Sequence, residues 1–174
     1  MNLRALATTI VLAVAFSTTG TRALAQTVET GFLDRALRLY GVEYRYQVYV
    51  PREFRRSTRW PVILAPHGGG EYGNDGIRQT EGGSVRAIRH RPERFPALVV
   101  FPQSHADNTP DGQLKGGEAA LAAMDKTVAE FNCDPSRDYL TGYSTRGNGS
   151  RYLASRHPER SAALMVVCGF ILEF

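Results

Sequence analysis

The run Tyr139-Leu140-Thr141-Gly142-Tyr143-Ser144-Thr145-Arg146-Gly147 decides how this chain is read. Its first half is a short β-favouring segment over 139–142, and a helical pattern begins at about 146. A serine at such a junction is held on a tight, strained turn with its oxygen exposed above a sheet. The turn demands small neighbours, because strand and helix approach each other closely around it. The amide of Thr145, at the start of the helix, is placed to donate to a developing oxyanion.

Working outward, the flanks alternate strand and helix. Asp134-Pro135-Ser136 makes the turn into the 139–142 strand. Before it, Gly116-Gly117 is expected to open a helix whose stripe is Leu121, Met124, Val128 and Phe131. After it, a helix runs to His157-Pro158, and 162–167 reads as another strand. Upstream, the apolar runs over 60–65 and 97–101 read as strands buried on both faces, with a helix over 82–91 between them. Tyr44, Tyr46, Val48 and Val50 alternate with Arg45, Gln47 and Tyr49, so 31–50 reads as two strands joined by a hairpin at Gly41. Short links and strand–helix alternation predict an α/β fold, a mostly parallel sheet with helices on both faces and an N-terminal antiparallel hairpin.

The strand over 60–65 runs into a second informative stretch, His67-Gly68-Gly69-Gly70. Glycines let this backbone approach a substrate carbonyl and turn its amides inward, so Gly68 or Gly69 is the expected second oxyanion donor. His67 is expected to shape that loop. A nucleotide-binding reading fails, because no Gly-x-Gly-x-x-Gly opens a helix and no Gly-Lys-Ser/Thr occurs. His105 follows the 97–101 strand on the substrate side of the sheet and reads as a loop histidine with at most a binding role. His90 reads as helix surface.

Composition sets the outer bounds. The chain has 174 residues, 43% hydrophobic and 22% charged, which excludes a disordered chain, and two cysteines exclude a disulfide-dense mini-protein. Residues 1–25 read as a secretory signal peptide: Arg4 opens it, 5–16 is apolar, and Ala23-Leu24-Ala25 fits a cleavage site. That run is too short to span a bilayer. The domain is then 26–174, secreted or periplasmic. Arg4 and Arg22 leave with the leader, which takes the net charge from +4 to +2. The basic clusters over 52–59 and 86–94 lack aromatics placed to stack bases, so no nucleic-acid partner is expected. Cys133 and Cys168 fall at opposite ends of neighbouring strands, too far apart to bridge, and two free, mostly buried thiols are expected.

The stretches Gly31-Phe32-Leu33-Asp34-Arg35, Tyr44 to Pro51, Trp60-Pro61-Val62-Ile63-Leu64, His67-Gly68-Gly69-Gly70-Glu71, Pro92 to Pro96 and Tyr139-Leu140-Thr141-Gly142 resemble secreted α/β-hydrolase esterases. The closest group is the polyhydroxybutyrate depolymerase and feruloyl esterase-like family. The resemblance covers nearly all of 31–169. It implies carboxyl-ester hydrolysis through an acyl-enzyme on Ser144, on a small-molecule or polymeric ester, with the Thr145 amide and Gly68/Gly69 as the oxyanion hole. It implies no metal or organic cofactor, and no membrane partner once the leader is cut. A peptidase-like relative uses the same serine machinery and stays open.

Three features depart from that family. Its turn usually reads Gly-x-Ser-x-Gly-Gly, and Arg146 occupies the fifth position, where a Cβ is expected to strain or relax the turn. The family's acid and histidine follow the serine on later strands. Here the 30 residues after Ser144 hold only His157, Glu159 and Glu173. His157 lies about 15–20 Å along the helix and is no base for Ser144. The resemblance stops after Gly169 and 170–174 is an apolar tail, so the domain is expected to lack its last strands. The alternative is therefore an inactive fragment, with the 162–167 strand left as an apolar, aggregation-prone edge.

Overall fold

The computed structural model describes residues 29–105 and 110–169. The expected leader, 1–25, and the apolar tail, 170–174, lie outside the described residues. Six strands form one sheet in the order β1-β2-β4-β3-β5-β6. β1 (Gly31–Leu39) and β2 (Val42–Val50) make the expected hairpin. Its two-residue turn has both Tyr40 and Gly41 at positive φ, 51° and 77°, the conformation whose twist matches the flanking strands.

β2 pairs antiparallel with β4 (Leu98–Pro102), and from there β4, β3 (Val62–Leu64), β5 (Asp138–Tyr143) and β6 (Ala163–Val167) run parallel. Regular strand in β3 is only three residues long. Pairing nevertheless extends over 61–65, because the Leu98 amide donates to the Pro61 carbonyl at 3.0 Å and the Ala65 amide to the Val100 carbonyl at 2.9 Å. All four parallel strands end at the same rim.

Two cores lie on the two faces. Tyr44, Tyr46, Val48 and Val50 point to one side of β2, as their alternation predicts, and pack with Leu64, Leu98 and Val100 against α2 (Pro110–Phe131) and α3 (Thr145–Arg156). Tyr49, Val99 and Phe101 point to the other, against Val85 and Ile88 of α1 (Gly83–His90). Burying each such aliphatic side chain contributes about 1.5–3 kcal/mol, so the central strands, apolar on both sides, hold the sheet. α2 starts six residues before the expected Gly116-Gly117. Those glycines are close-packing positions inside the helix: a Cβ on Gly117 would lie 2.9 Å from Leu153 Cδ2 of α3, and one on Gly116 3.3 Å from Ser104 Oγ.

The opposite rim carries a buried carboxylate. Asp138 begins β5 at 9% exposure, and its Oδ1 has no hydrogen-bond partner among the described residues. Burial pushes its carboxyl up to about 6; Arg160 opposes that rise, and Asp125 and Asp134 add to it. The unfolded group ionises near 3.8, so the fold is penalised as pH rises from there to about 6 and carries the full penalty above. Asp138→Asn is expected to stabilise the domain by about 1–3 kcal/mol at pH 8 and to be neutral at pH 3.5, as read by thermal melts at both values.

The two sheet edges differ. β1 carries Asp34, Arg35 and Arg38, whereas β6 reads Ala-Leu-Met-Val-Val and leaves Leu164, Met165 and Val167 exposed, Met165 by 64%. An uncharged, apolar edge templates strand addition. The chain is expected to elute as higher assemblies in size-exclusion chromatography with light scattering, and Met165→Lys to shift the mass toward monomer.

Candidate active site

Ser144 sits between the last residue of β5 and the first of α3 at φ 54°, ψ −127°. Such a backbone costs a non-glycine residue on the order of 1–3 kcal/mol, and it persists only where surrounding bonds impose it. Here the Ser144 amide donates to the Val167 carbonyl of β6 at 2.9 Å, and the Ser144 carbonyl accepts from the Gly147 amide at 2.8 Å. The side chain does not cap the helix it precedes, so the hydroxyl is not spent on local structure. Thr145, first in α3, has no carbonyl four residues back within the helix to receive its amide.

The small residue that this turn requires is Gly147. A Cβ there would stand 2.9 Å from Val166 Cγ1 and 3.1 Å from the Gly169 backbone. Arg146 lies within the helical span of α3. The crowding falls one residue later because the helix begins at Thr145, which turns position 147 toward the end of β6.

The second half-site is built on His67, 6% exposed. The Ser104 amide donates to His67 Nε2 at 3.0 Å, so that nitrogen is the acceptor and Nδ1 carries the proton; Nδ1 donates to the Gly68 carbonyl at 2.6 Å. Tyr72 packs edge-on against the ring at 5.3 Å. His67 thus ties the loop after β3 to the end of β4, and both of its nitrogens are committed. Gly68 leads into the single 3-10 turn Gly69–Glu71. A Cβ on Gly68 would lie 3.5 Å from Tyr143 Cδ1, which puts this loop against the residue before Ser144. The fold therefore brings the two half-sites together.

Gln103, at 2% exposure, fixes the rest of the loop: its Oε1 accepts from the Gly76 amide at 2.7 Å and its Nε2 donates to Asp75 Oδ1 at 2.9 Å. Asp75 also accepts the Ile77 and Arg78 amides, and these bonds hold its carboxyl down to about 2. Sequence reasoning passed over Gln103 and Ser104. Their only signal was position, two polar residues directly after a fully apolar strand.

His105 is turned away from the serine. It stacks on Tyr44 at 4.9 Å, and its Nε2 lies 3.1 Å from the Glu43 carbonyl, on the β2 side of the rim. His157 caps the far end of α3 beside Glu159. Among the described residues no hydrogen bond joins the Ser144 hydroxyl to a histidine or a carboxylate. Both cysteines are free; burial pushes Cys133 up to about 12. Cys168 is exposed, against expectation, because it follows the edge strand and nothing described packs over it. No helix among the described residues is long and apolar enough to cross a membrane.

A cavity of about 590 Å³ opens beside this rim, between α1 and the β5–β6 face of the sheet. Gly68, Glu71, Tyr143, Ile88, Val99 and Met165 are among the residues that line it, and Ser144 is not.

The geometry separates two substitutions. Arg146→Gly is expected to lower stability by about 0.5–1 kcal/mol through helix propensity rather than to relieve strain. Gly147→Val, which forces a side chain into Val166 and the Gly169 backbone, is expected to cost about 1–3 kcal/mol or more. Urea denaturation of the two variants checks both signs.

No family model matches the chain, and no curated protein matches it. Solved structures do. A thermostable esterase superposes with a TM-score of 0.69 at 28% identity, over 79% of this chain and 40% of its own. An alpha/beta hydrolase enzyme from the metagenome of Lake Arreo, Spain, gives 0.57 at 16% identity, over 83% and 46%. A ferulic acid esterase gives 0.59 at 14%, over 80% and 59%. The chain thus spans about half the length of the esterases it matches, and over that span its fold is that of the α/β-hydrolases.

Proposed function

We propose that this chain carries the nucleophile and oxyanion half of a secreted serine carboxyl-ester hydrolase of the polyhydroxybutyrate depolymerase and feruloyl esterase-like type. The observation that carries the reading is the backbone of Ser144, a non-glycine residue held at φ 54° where a parallel strand hands over to a helix, with the Gly68 loop against it. A structural serine has no need of that conformation. Similarity to esterases, a ferulic acid esterase among them, supports the bond class.

In the reaction, Ser144 Oγ attacks the ester carbonyl, and the oxygen that becomes negative is held by the Thr145 amide and an amide of Gly68 or Gly69. The alcohol leaves with a proton, and water then cleaves the acyl-serine. The serine proton must pass to a base. His67 is committed to Ser104 and Gly68, and among the described residues no other histidine or carboxylate is hydrogen-bonded to the Ser144 hydroxyl. Enzymes stripped of their triad retain roughly 10³–10⁴-fold acceleration over water from the oxyanion hole and binding alone. Substrates of the proposed class are short acyl esters, acetyl or feruloyl groups on polysaccharide, or polyesters.

A second reading follows from the lack of a base partner for Ser144 among the described residues: the chain binds esters without turning them over. The two separate in one assay. Hydrolysis of p-nitrophenyl acetate by the chain is expected to exceed that of Ser144→Ala by at least tenfold, with a fluorophosphonate probe labelling Ser144 alone. Equal rates and no labelling would leave only the binding reading. Export of the chain with a mature N-terminus at Gln26, read by mass spectrometry, tests secretion.

A further inference from the structure

The cavity beside the rim has the dimensions of a small-molecule site, about 590 Å³. Most of its surface is apolar, supplied by residues such as Ile63, Val85, Phe101 and Met165. Among the polar side chains that line it, Gln79 and Glu71 stand out. Gln79 is 3% exposed, and neither its Oε1 nor its Nε2 has a partner among the described residues; the buried Oε2 of Glu71 has none either. Each unmade bond of this kind costs about 1–3 kcal/mol, and buried polar atoms in native proteins are otherwise nearly always paired.

The Glu71 carboxylate is held in place by two glycines. A Cβ on Gly68 would lie 2.9 Å from Glu71 Oε2, and one on Gly82 would lie 3.1 Å from Oε1. A side chain at either position would make the carboxylate shift. Gly68, Glu71, Gln79 and Gly82 all line the cavity.

We propose that this cavity binds an uncharged apolar alcohol or phenol. The ligand hydroxyl donates to Glu71 Oε2 and accepts from Gln79 Nε2, while the hydrocarbon lies along Val99, Phe101 and Met165. A hydroxyl is a small uncharged head that gives and takes one bond at once. A carboxylate head meets the Glu71 carboxylate and is repelled; a purely hydrocarbon ligand leaves all three polar atoms unpaired. The inference deepens the ester-hydrolase reading, since Gly68 and Tyr143 wall both the cavity and the serine turn, and a hydroxyl-bearing portion of an ester would lodge here. Binding itself does not depend on Ser144 chemistry.

The test is calorimetric titration of the full chain carrying Ser144→Ala, at pH 7.5, with octan-1-ol, 4-propylphenol and octanoate. At least one hydroxyl compound is expected to bind tenfold or more tightly than octanoate, and the better of the two shows whether the walls prefer an aliphatic or an aromatic body. Glu71→Gln is expected to narrow that gap at least threefold. Gln79→Leu is expected to weaken the hydroxyl compounds at least threefold and leave octanoate unchanged. Equal affinities for alcohol, phenol and carboxylate, or no saturable binding of any, overturn the proposal, and that comparison needs no substitution at 71 or 79. Because Ser144→Ala cannot turn over, a failure here leaves the hydrolase reading standing, and a failed hydrolysis assay leaves this one standing.

Discussion

Two backbone hydrogen bonds pin Ser144 from opposite sides, one from its amide to Val167 of β6 and one to its carbonyl from Gly147 of α3. Together they force a conformation that a free serine would leave at a gain on the order of 1–3 kcal/mol. The strain is supportable because the neighbouring elements are themselves locked: Gly147 and Gly169 leave room for the Val166 side chain where α3 meets the end of β6, and the Ser150 hydroxyl of α3 bonds back to the Thr141 carbonyl of β5 at 2.9 Å. The hydroxyl presented at the rim is thus a consequence of how closely one helix lies on two strands.

Preorganisation of the facing loop has a different origin. A glycine-rich stretch is conformationally loose by itself, and looseness would forfeit an oxyanion site. His67 and Gln103 remove that freedom. Each is buried, each bridges the loop after β3 to the end of β4, and each bonds mostly to backbone, so the loop is fixed by contacts that survive changes in its exposed side chains. That bridging occupies both ring nitrogens of His67.

Much of the architecture was legible beforehand. Alternation in Tyr44 to Val50 placed the hairpin strand and its core face, and the doubly apolar runs placed the central strands, because a two-residue period and a buried sheet leave unambiguous traces. The serine turn was legible too, through Gly142 and the strand–helix change. Less visible was anything decided by tertiary contact. Gly116-Gly117 looked like a helix start, since glycine is a poor helix former, yet close approach of Leu153 and Ser104 is what those positions serve. Arg146 looked like an obstruction for a similar reason: the motif names a position, whereas the clash depends on which turn of α3 faces β6. Cys168 looked buried because it follows an apolar strand, and only strand order reveals that strand as an edge.

The strand order also places the site at the weaker side of the molecule. At the β1 edge, Asp34 accepts from Gln47 at 2.9 Å and Arg35 pairs with Glu130 at 2.7 Å, so charges guard the edge and tie it to α2. Among the described residues β6 has no such guard, and it is exposed along most of its length. Yet β6 supplies the Val167 carbonyl that holds the Ser144 amide. Edge strands open locally at a smaller free-energy cost than central ones, and each opening of β6 would release one of the two bonds that strain the serine. The lifetime of the competent turn is therefore set by the least protected strand in the sheet. Any partner that pairs with or covers β6 would steady Ser144 from a distance, by holding Val167 in place rather than by touching the hydroxyl.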